Sequence, residues 1–290
     1  SIIFIFSKPH ILTNSSTISI SCVISGLHDG IVNEKYFLSF LLLKPKPNKN
    51  WGFNEYSNSH LKKEGKEYHK KFFCFEGRSI LWELEKKILL DFIEYKKNNS
   101  HLDFAAGSGR IAILLREFFK VQYLLDISSS MLDGKEEKLK NSKIIIEDFR
   151  KTNSLSEKKF DLITAFRFFP NAEPVLRQKA MKFISDHIKD KGYIIFNNHK
   201  NFWSIPFLMS RLLFLSDGFG MTHKEIINLL KKNNLRLIEY YSTGLFTSKE
   251  RSKIIPWKII RILENLFFKI FKGKHKFGYN VIYIIGKNHD

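Results

Sequence analysis

The chain has only two cysteines, Cys22 and Cys74, in 290 residues. That is too few and too unpatterned for a disulfide framework or a zinc site, and a reducing compartment suits it. No apolar run reaches the ~18 residues that a spanning helix needs. The opening residues also lack the basic, apolar, small-residue order of a secretion signal. A cytoplasmic protein, at most peripheral to a membrane, is therefore expected. Acidic residues are scarce beside basic ones, 29 against 48, for a net charge of +19. Such a balance points to nucleic acid, a membrane surface or a phosphorylated substrate. The lysines, however, are spread along the chain among abundant Ile, Asn and Phe, a pattern that an AT-rich coding sequence also produces. What is plentiful is apolar matter, 43% of the residues, enough for the core of one large α/β domain.

Residues 100–111 read Ser-His-Leu-Asp-Phe-Ala-Ala-Gly-Ser-Gly-Arg-Ile. Leu102 and Phe104 suggest a short buried strand that ends in a tight turn and enters a helical pattern at Ile111, Leu114, Leu115 and Phe118. Gly107 and Gly109 let backbone amides approach a ligand, and the next helix begins with free N–H groups. Gly107-x-Gly109-x-x-Ala112 also fits a loose dinucleotide fingerprint. Asp103 on the strand argues otherwise, because its carboxylate repels a pyrophosphate and favours a cationic ligand attached to a ribose.

An Asp followed by such a turn resembles the first motif of the class I S-adenosylmethionine-dependent methyltransferases, with Ala105 where that family most often has glycine. The resemblance covers residue 78 to about residue 287. It implies a Rossmann-like α/β fold, a mostly parallel seven-stranded sheet flanked by helices with an antiparallel last strand, and S-adenosylmethionine as cofactor. Further strand ends match. Residues 121–125 end at Asp126, where an acidic residue accepts the ribose hydroxyls, and Asp126-x-Ser128-x-x-Met131-Leu132 is frequent in the family. The resemblance places Ile127 and Met131 on the adenine. It also gives Asp148 the adenine amino group and Phe149 the ring, and sets Tyr68 and Arg78 near the methionyl end, Arg78 pairing its carboxylate.

Residues 160–166 form the fourth strand, ending at Phe166, and the loop after it carries Arg167 and Asn171 toward the methyl group. The loop lacks the Asn/Asp-Pro-Pro-Tyr/Phe sequence of base-amine methylation, and neither cysteine lies near this strand or the next. Nucleic acid is thus a disfavoured acceptor. A small hydroxylated metabolite, a sugar or a lipid-linked intermediate, is favoured, with Arg167 and Asn171 as its contacts. His199, at the end of the fifth strand, is the expected general base.

Organisation is read as an N-terminal extension over 1–50, a helical cap over 51–99 and a methyltransferase domain over 100–290. A basic amphipathic helix near 254–272 separates the last two strands and suits a membrane surface or a lipid-linked substrate. No metal site is expected, and the sequence does not fix an oligomeric state. Three alternatives stay open: an RNA methyltransferase using the basic surface, an NAD-dependent oxidoreductase, and a non-catalytic binding module with a degenerate methyltransferase fold.

Overall fold

The computed structural model describes residues 75–94, 99–132, 137–151, 154–212, 220–247 and 255–288. All of them fall in the second of the chain's two units, Pro45–Asp290. The expected extension over 1–50 and Tyr68 lie outside the described residues, as does most of the expected cap over 51–99.

The first described helix, α1 (Glu76–Ile93), buries Ile80, Leu84, Ile88, Leu89 and Ile93 along one side. This helical spacing turns Glu83, Lys87 and Asp91 outward. Seven strands follow: β1 (Ser100–Phe104), β2 (Val121–Asp126), β3 (Ser142–Ile146), β4 (Phe160–Ala165), β5 (Ile188–Asn198), β6 (Leu235–Thr243) and β7 (Asn280–Lys287). They form one sheet in the order β3-β2-β1-β4-β5-β7-β6. β1 to β5 pair in parallel, and β7 runs antiparallel to both of its neighbours.

Among the described residues five more helices accompany the sheet: α2 (Arg110–Leu115), α3 (Pro174–His187), α4 (Ile205–Leu212), α5 (His223–Lys231) and α6 (Trp257–Phe271). One face of the sheet packs Phe104, Ile163, Phe196 and Tyr283 against Ala180 and Ile184 of α3 and Ile226 and Leu230 of α5. The other packs Leu162, Ile195, Ile282 and Ile284 against Ile88 and Leu89 of α1 and Ile111 and Leu115 of α2. Burial on both faces is why the central strands read as nearly continuous apolar runs. The strand order reverses between β1 and β4, which opens a crevice at their carboxyl ends.

The fifth strand begins at Ile188, well before the apolar run from Tyr193, because Phe160 pairs with Ile188 across an irregularity in register. The serines after Asp126 suit a helix cap, yet no α-helix opens there. Only a 3-10 turn, Ser129–Met131, follows, with no side-chain cap, and the Ser128 hydroxyl pairs with that of Ser130 at 3.0 Å. At α5 the capping box is formed as its spacing predicts: Thr222 Oγ1 accepts from the Glu225 amide, and Glu225 accepts from the Thr222 amide.

Candidate active site

The crevice is lined by residues from the ends of β1, β2, β3 and β4 and the loops that follow them. Its floor is the turn after β1. Ala105, Gly107 and Gly109 all hold positive φ, at 53°, 55° and 66°. Gly107 donates its amide to Asp126 Oδ2 at 2.7 Å, and the Ser128 amide donates to Asp126 Oδ1 at 2.9 Å. The carboxylate of Asp126 is therefore fixed by two backbone groups, and each oxygen keeps accepting capacity for a ligand hydroxyl. Gly109 departs from its expected part. A Cβ there would meet Leu139, Leu124 and Leu132 at 3.1 to 3.4 Å, so the absence of a side chain serves core packing and a left-handed N-cap for α2.

Beneath the turn lies a closed ring of polar contacts. Thr164 donates its hydroxyl to Asp103 Oδ1 at 2.8 Å, and the Ala112 amide reaches Asp103 Oδ2 at 3.3 Å. His101 Nε2 meets Thr164 Oγ1 at 2.8 Å, and Gln122 Nε2 donates to His101 Nδ1 at 3.1 Å and to the Ala112 carbonyl at 3.1 Å. With Nδ1 accepting, Nε2 carries the proton, which leaves the threonine hydroxyl free to point at Asp103. Burial pushes the Asp103 carboxyl up to about 7 and holds His101 neutral, down at about 3. Asp103 is thus less of a fixed negative charge than its place in the motif suggests.

A second constellation stands at the ends of β4, β5 and β7. Arg167 has a φ of 64° and is clamped on both sides, its amide donating to Asn197 Oδ1 at 2.6 Å and its carbonyl accepting from Asn171 Nδ2 at 2.7 Å. Asn171 also lies 3.4 Å from His199 Nε2. His199 itself is buried, and burial together with the charges of Arg167, Lys200, Arg110 and Arg78 holds its imidazole well below the usual histidine range. It is neutral at physiological pH, a proton acceptor of reduced strength. Its Nδ1 has no hydrogen-bond partner among the described residues.

Behind this constellation sits the buried Glu85 of α1. Its Oε1 accepts from Asn197 Nδ2 at 3.1 Å and from Asn280 Nδ2 at 3.0 Å, and its Oε2 accepts from Arg110 at 2.8 Å. Arg110 is further held over the ring of Trp82 at 4.5 Å.

Asp103, Ala105, Gly107, Asp126, Ile127, Met131, Asp148, Phe149, Phe166, Arg167 and Asn171 all line the crevice. His199 stands behind Asn171, and Gly109 faces the core. Arg78, in the first turn of α1, lies over the ring of Phe75 and reaches the site through its charge on His199. The Asp148 carboxylate is gripped by Arg150, which holds it below the usual carboxylate range. Phe149 is wedged edge-on between Phe104 and Phe183. Glu85, Arg110, Asn280, His101 and Thr164 were not singled out from sequence. The available signal was a carboxylate on the apolar face of α1 and polar side chains inside apolar strands.

A family model described as a methyltransferase domain matches residues 95–255. Among solved structures, the fold is similar to the N-methyltransferase NodS from Bradyrhizobium japonicum WM9 in complex with S-adenosyl-L-homocysteine. The TM-score is 0.53 at 10% identity, over 82% of this chain and 99% of that one. A TehB-like methyltransferase from Corynebacterium glutamicum aligns at 0.48 and 14% identity, over 70% of this chain and 88% of that one. An S-adenosylmethionine-dependent methyltransferase from Clostridium acetobutylicum aligns at 0.46 and 17% identity, over 82% and 96%. No curated protein matches the sequence.

Proposed function

On the premise that the chain belongs to the methyltransferase-domain family, an S-adenosylmethionine-dependent enzyme, we propose that it methylates a hydroxyl of a small molecule, a sugar or a lipid-linked or other secondary metabolite. S-adenosylmethionine supplies a methyl group already activated on a sulfonium. The residues present suit that donor: an anchored carboxylate for ribose hydroxyls at Asp126, apolar Ile127, Met131 and Phe149 for a flat ring, and cationic Arg78 for a carboxylate. In this reading Ala105 and Gly107 shape the floor, Gly109 holds the turn, and Asp148 meets the ring's amino group. Phe166 flanks the methionyl end with Arg78, and Tyr68 belongs to the same group. The protein's main task is alignment and exclusion of water, because the leaving group needs little help.

The observation that carries the hydroxyl reading is His199, a buried neutral imidazole beside Asn171 of the crevice lining, directly after the end of β5. Asn171 and Arg167 would orient the acceptor, and His199 would take its proton as the new bond forms. A lipid-linked acceptor is favoured by the apolar, basic outer face of α6, within residues 254–272. Among the described residues no helix is long and apolar enough to cross a membrane.

The test is calorimetric titration with S-adenosylmethionine, with NAD in parallel and Asp126→Ala as control. Methyl-donor binding that the variant loses is expected, whereas preference for NAD would refute the donor. Labelled donor incubated with hydroxylated sugars, lipid-linked sugars and RNA then identifies the acceptor. Label entering RNA alone would overturn the small-molecule reading.

A further inference from the structure

Helix α6 is partly inverted relative to an ordinary surface helix: Phe267 packs on Phe246 and Phe268 on the core, yet a second apolar stripe faces out. Its buried residues are Ile260 and Glu264, while Ile259, Ile262, Leu266 and Ile270 stand 48%, 66%, 47% and 60% exposed on successive turns. The inversion is pinned. Glu264 accepts from the amides of Gly244 (3.1 Å), Phe246 (2.7 Å) and Thr247 (3.1 Å) and from the Thr247 hydroxyl at 2.9 Å. On the flank, Arg261 donates to Glu83 at 2.8 Å, and the Trp257 ring lies 3.0 Å from the Cβ position of Gly77. Rolling the helix to hide its isoleucines would strip a buried carboxylate of four donors, a cost far above that of leaving them exposed.

The charge within this segment is nearly all basic, although Glu83 and Glu76 of α1 pair with Arg261 and Glu239 of β6 pairs with Lys274. Between residues 255 and 278 the sequence carries Lys258, Arg261, Lys269, Lys272, Lys274 and Lys276, and its single acid is the inward-facing Glu264. Lys258, Lys269, Lys272 and Lys276 are exposed.

We propose that α6 lies flat on an anionic membrane surface, with Ile259, Ile262, Leu266 and Ile270 entering the acyl boundary and the neighbouring lysines meeting lipid phosphates. Protein interfaces are depleted in lysine and anchored by aromatic residues and arginine, whereas this face offers mainly aliphatic residues and lysines, with Phe271 and Phe277 at its end and Arg261 tied to Glu83. A second copy of a chain with a net charge of +19 would meet it with like charge. A bilayer requires no shape complement and welcomes both features. Docking would set the start of α6, beside the start of α1, near the lipid surface. Delivery of a lipid-linked acceptor there rests on the hydroxyl-methylation reading, while docking itself does not.

The experiment is sedimentation of the full chain with vesicles of phosphatidylcholine alone and of phosphatidylcholine mixed with phosphatidylglycerol. Binding to the mixed vesicles only, weakened by salt, is expected. Ile262→Asp with Ile270→Asp should lower vesicle affinity by at least about tenfold. Lys269→Glu with Lys272→Glu should lower it severalfold, and this purely surface pair guards against misfolding of the first. Both variants are titrated with S-adenosylmethionine. Unchanged donor binding with lost vesicle binding supports the proposal, and wild-type vesicle binding without donor binding would sink the donor while leaving the docking intact. Failure of the wild type to bind mixed vesicles would overturn it. So would equal binding by both variants, or a dimer in sedimentation that Ile262→Asp with Ile270→Asp abolishes.

Discussion

Two carboxylates stand at the same pole of the sheet and are held in opposite ways. Asp126 is fixed by backbone amides 2 and 19 residues away, both supplied by the turns around it. Glu85 is fixed by the side chains of Arg110, Asn197 and Asn280, which are 25, 112 and 195 residues away. The first lines the crevice. The second is consumed in joining α1, the end of β5 and the start of β7. One is a receptor for ligand, the other a fastener for the frame, and the difference lies in who donates to them.

The sharpest way to break that contrast is Glu85→Leu. Removing the acid leaves Arg110 buried without this partner, and a loss of about 3–5 kcal/mol is expected in denaturant unfolding. Glu85→Gln, which still accepts from both asparagines, should lose less. Asp126→Asn should do the reverse, costing only about 1 kcal/mol of stability as one of the two backbone amides loses its acceptor, while donor affinity in calorimetry falls roughly 10–100-fold through weakened charge-assisted bonds.

A third carboxyl sharpens the comparison through pH. Asp103 is held at about 7, above its unfolded value of 3.8, by burial, with Asp126 adding to the rise and Thr164, Ala112 and Arg110 opposing it. The folded state therefore binds the extra proton between those values, and the Asp103 contribution to stability falls as pH rises from about 4 to about 7, by at most about 1.4 kcal/mol per pH unit. Unfolding followed from pH 4 to 8 should show this slope in wild type and lose it in Asp103→Asn. The same ionisation favours a cationic donor, so donor affinity should strengthen as pH passes through 7, and the neutral S-adenosylhomocysteine should show no such trend. Smallest of all, Ala105→Gly should stabilise by up to about 1 kcal/mol in thermal melts, as relief of the left-handed strain outweighs the added chain entropy.

The local carboxylate was legible in the sequence, and the distant one was not. Asp103, the glycine turn and Asp126 lie in short segments whose spacing carries their geometry, and so does the capping box of α5, while the mostly parallel sheet followed from the family resemblance. Glu85 reads as one more polar residue on an amphipathic helix. Asn280 and His101 read as interruptions of strands, because their partners come from elements that only the folded sheet makes neighbours. Gly109 exposed a subtler limit. Its presence fits the motif, yet what fills the space beside it is three leucines brought in from β2 and the segment after it, which no pattern within the motif encodes.

The position of β7 has a consequence for synthesis. Of the described strands it is the last to leave the ribosome, yet it belongs between β5 and β6, with which it pairs along both edges. Until it arrives, a nascent chain carries two unsatisfied strand edges and lacks Asn280, so Glu85 is short of one donor at the pole where the crevice opens. Completion of the sheet and completion of the frame behind the crevice are then one late event. A ribosome-stalled chain ending before residue 280 would be an aggregation-prone client for a chaperone.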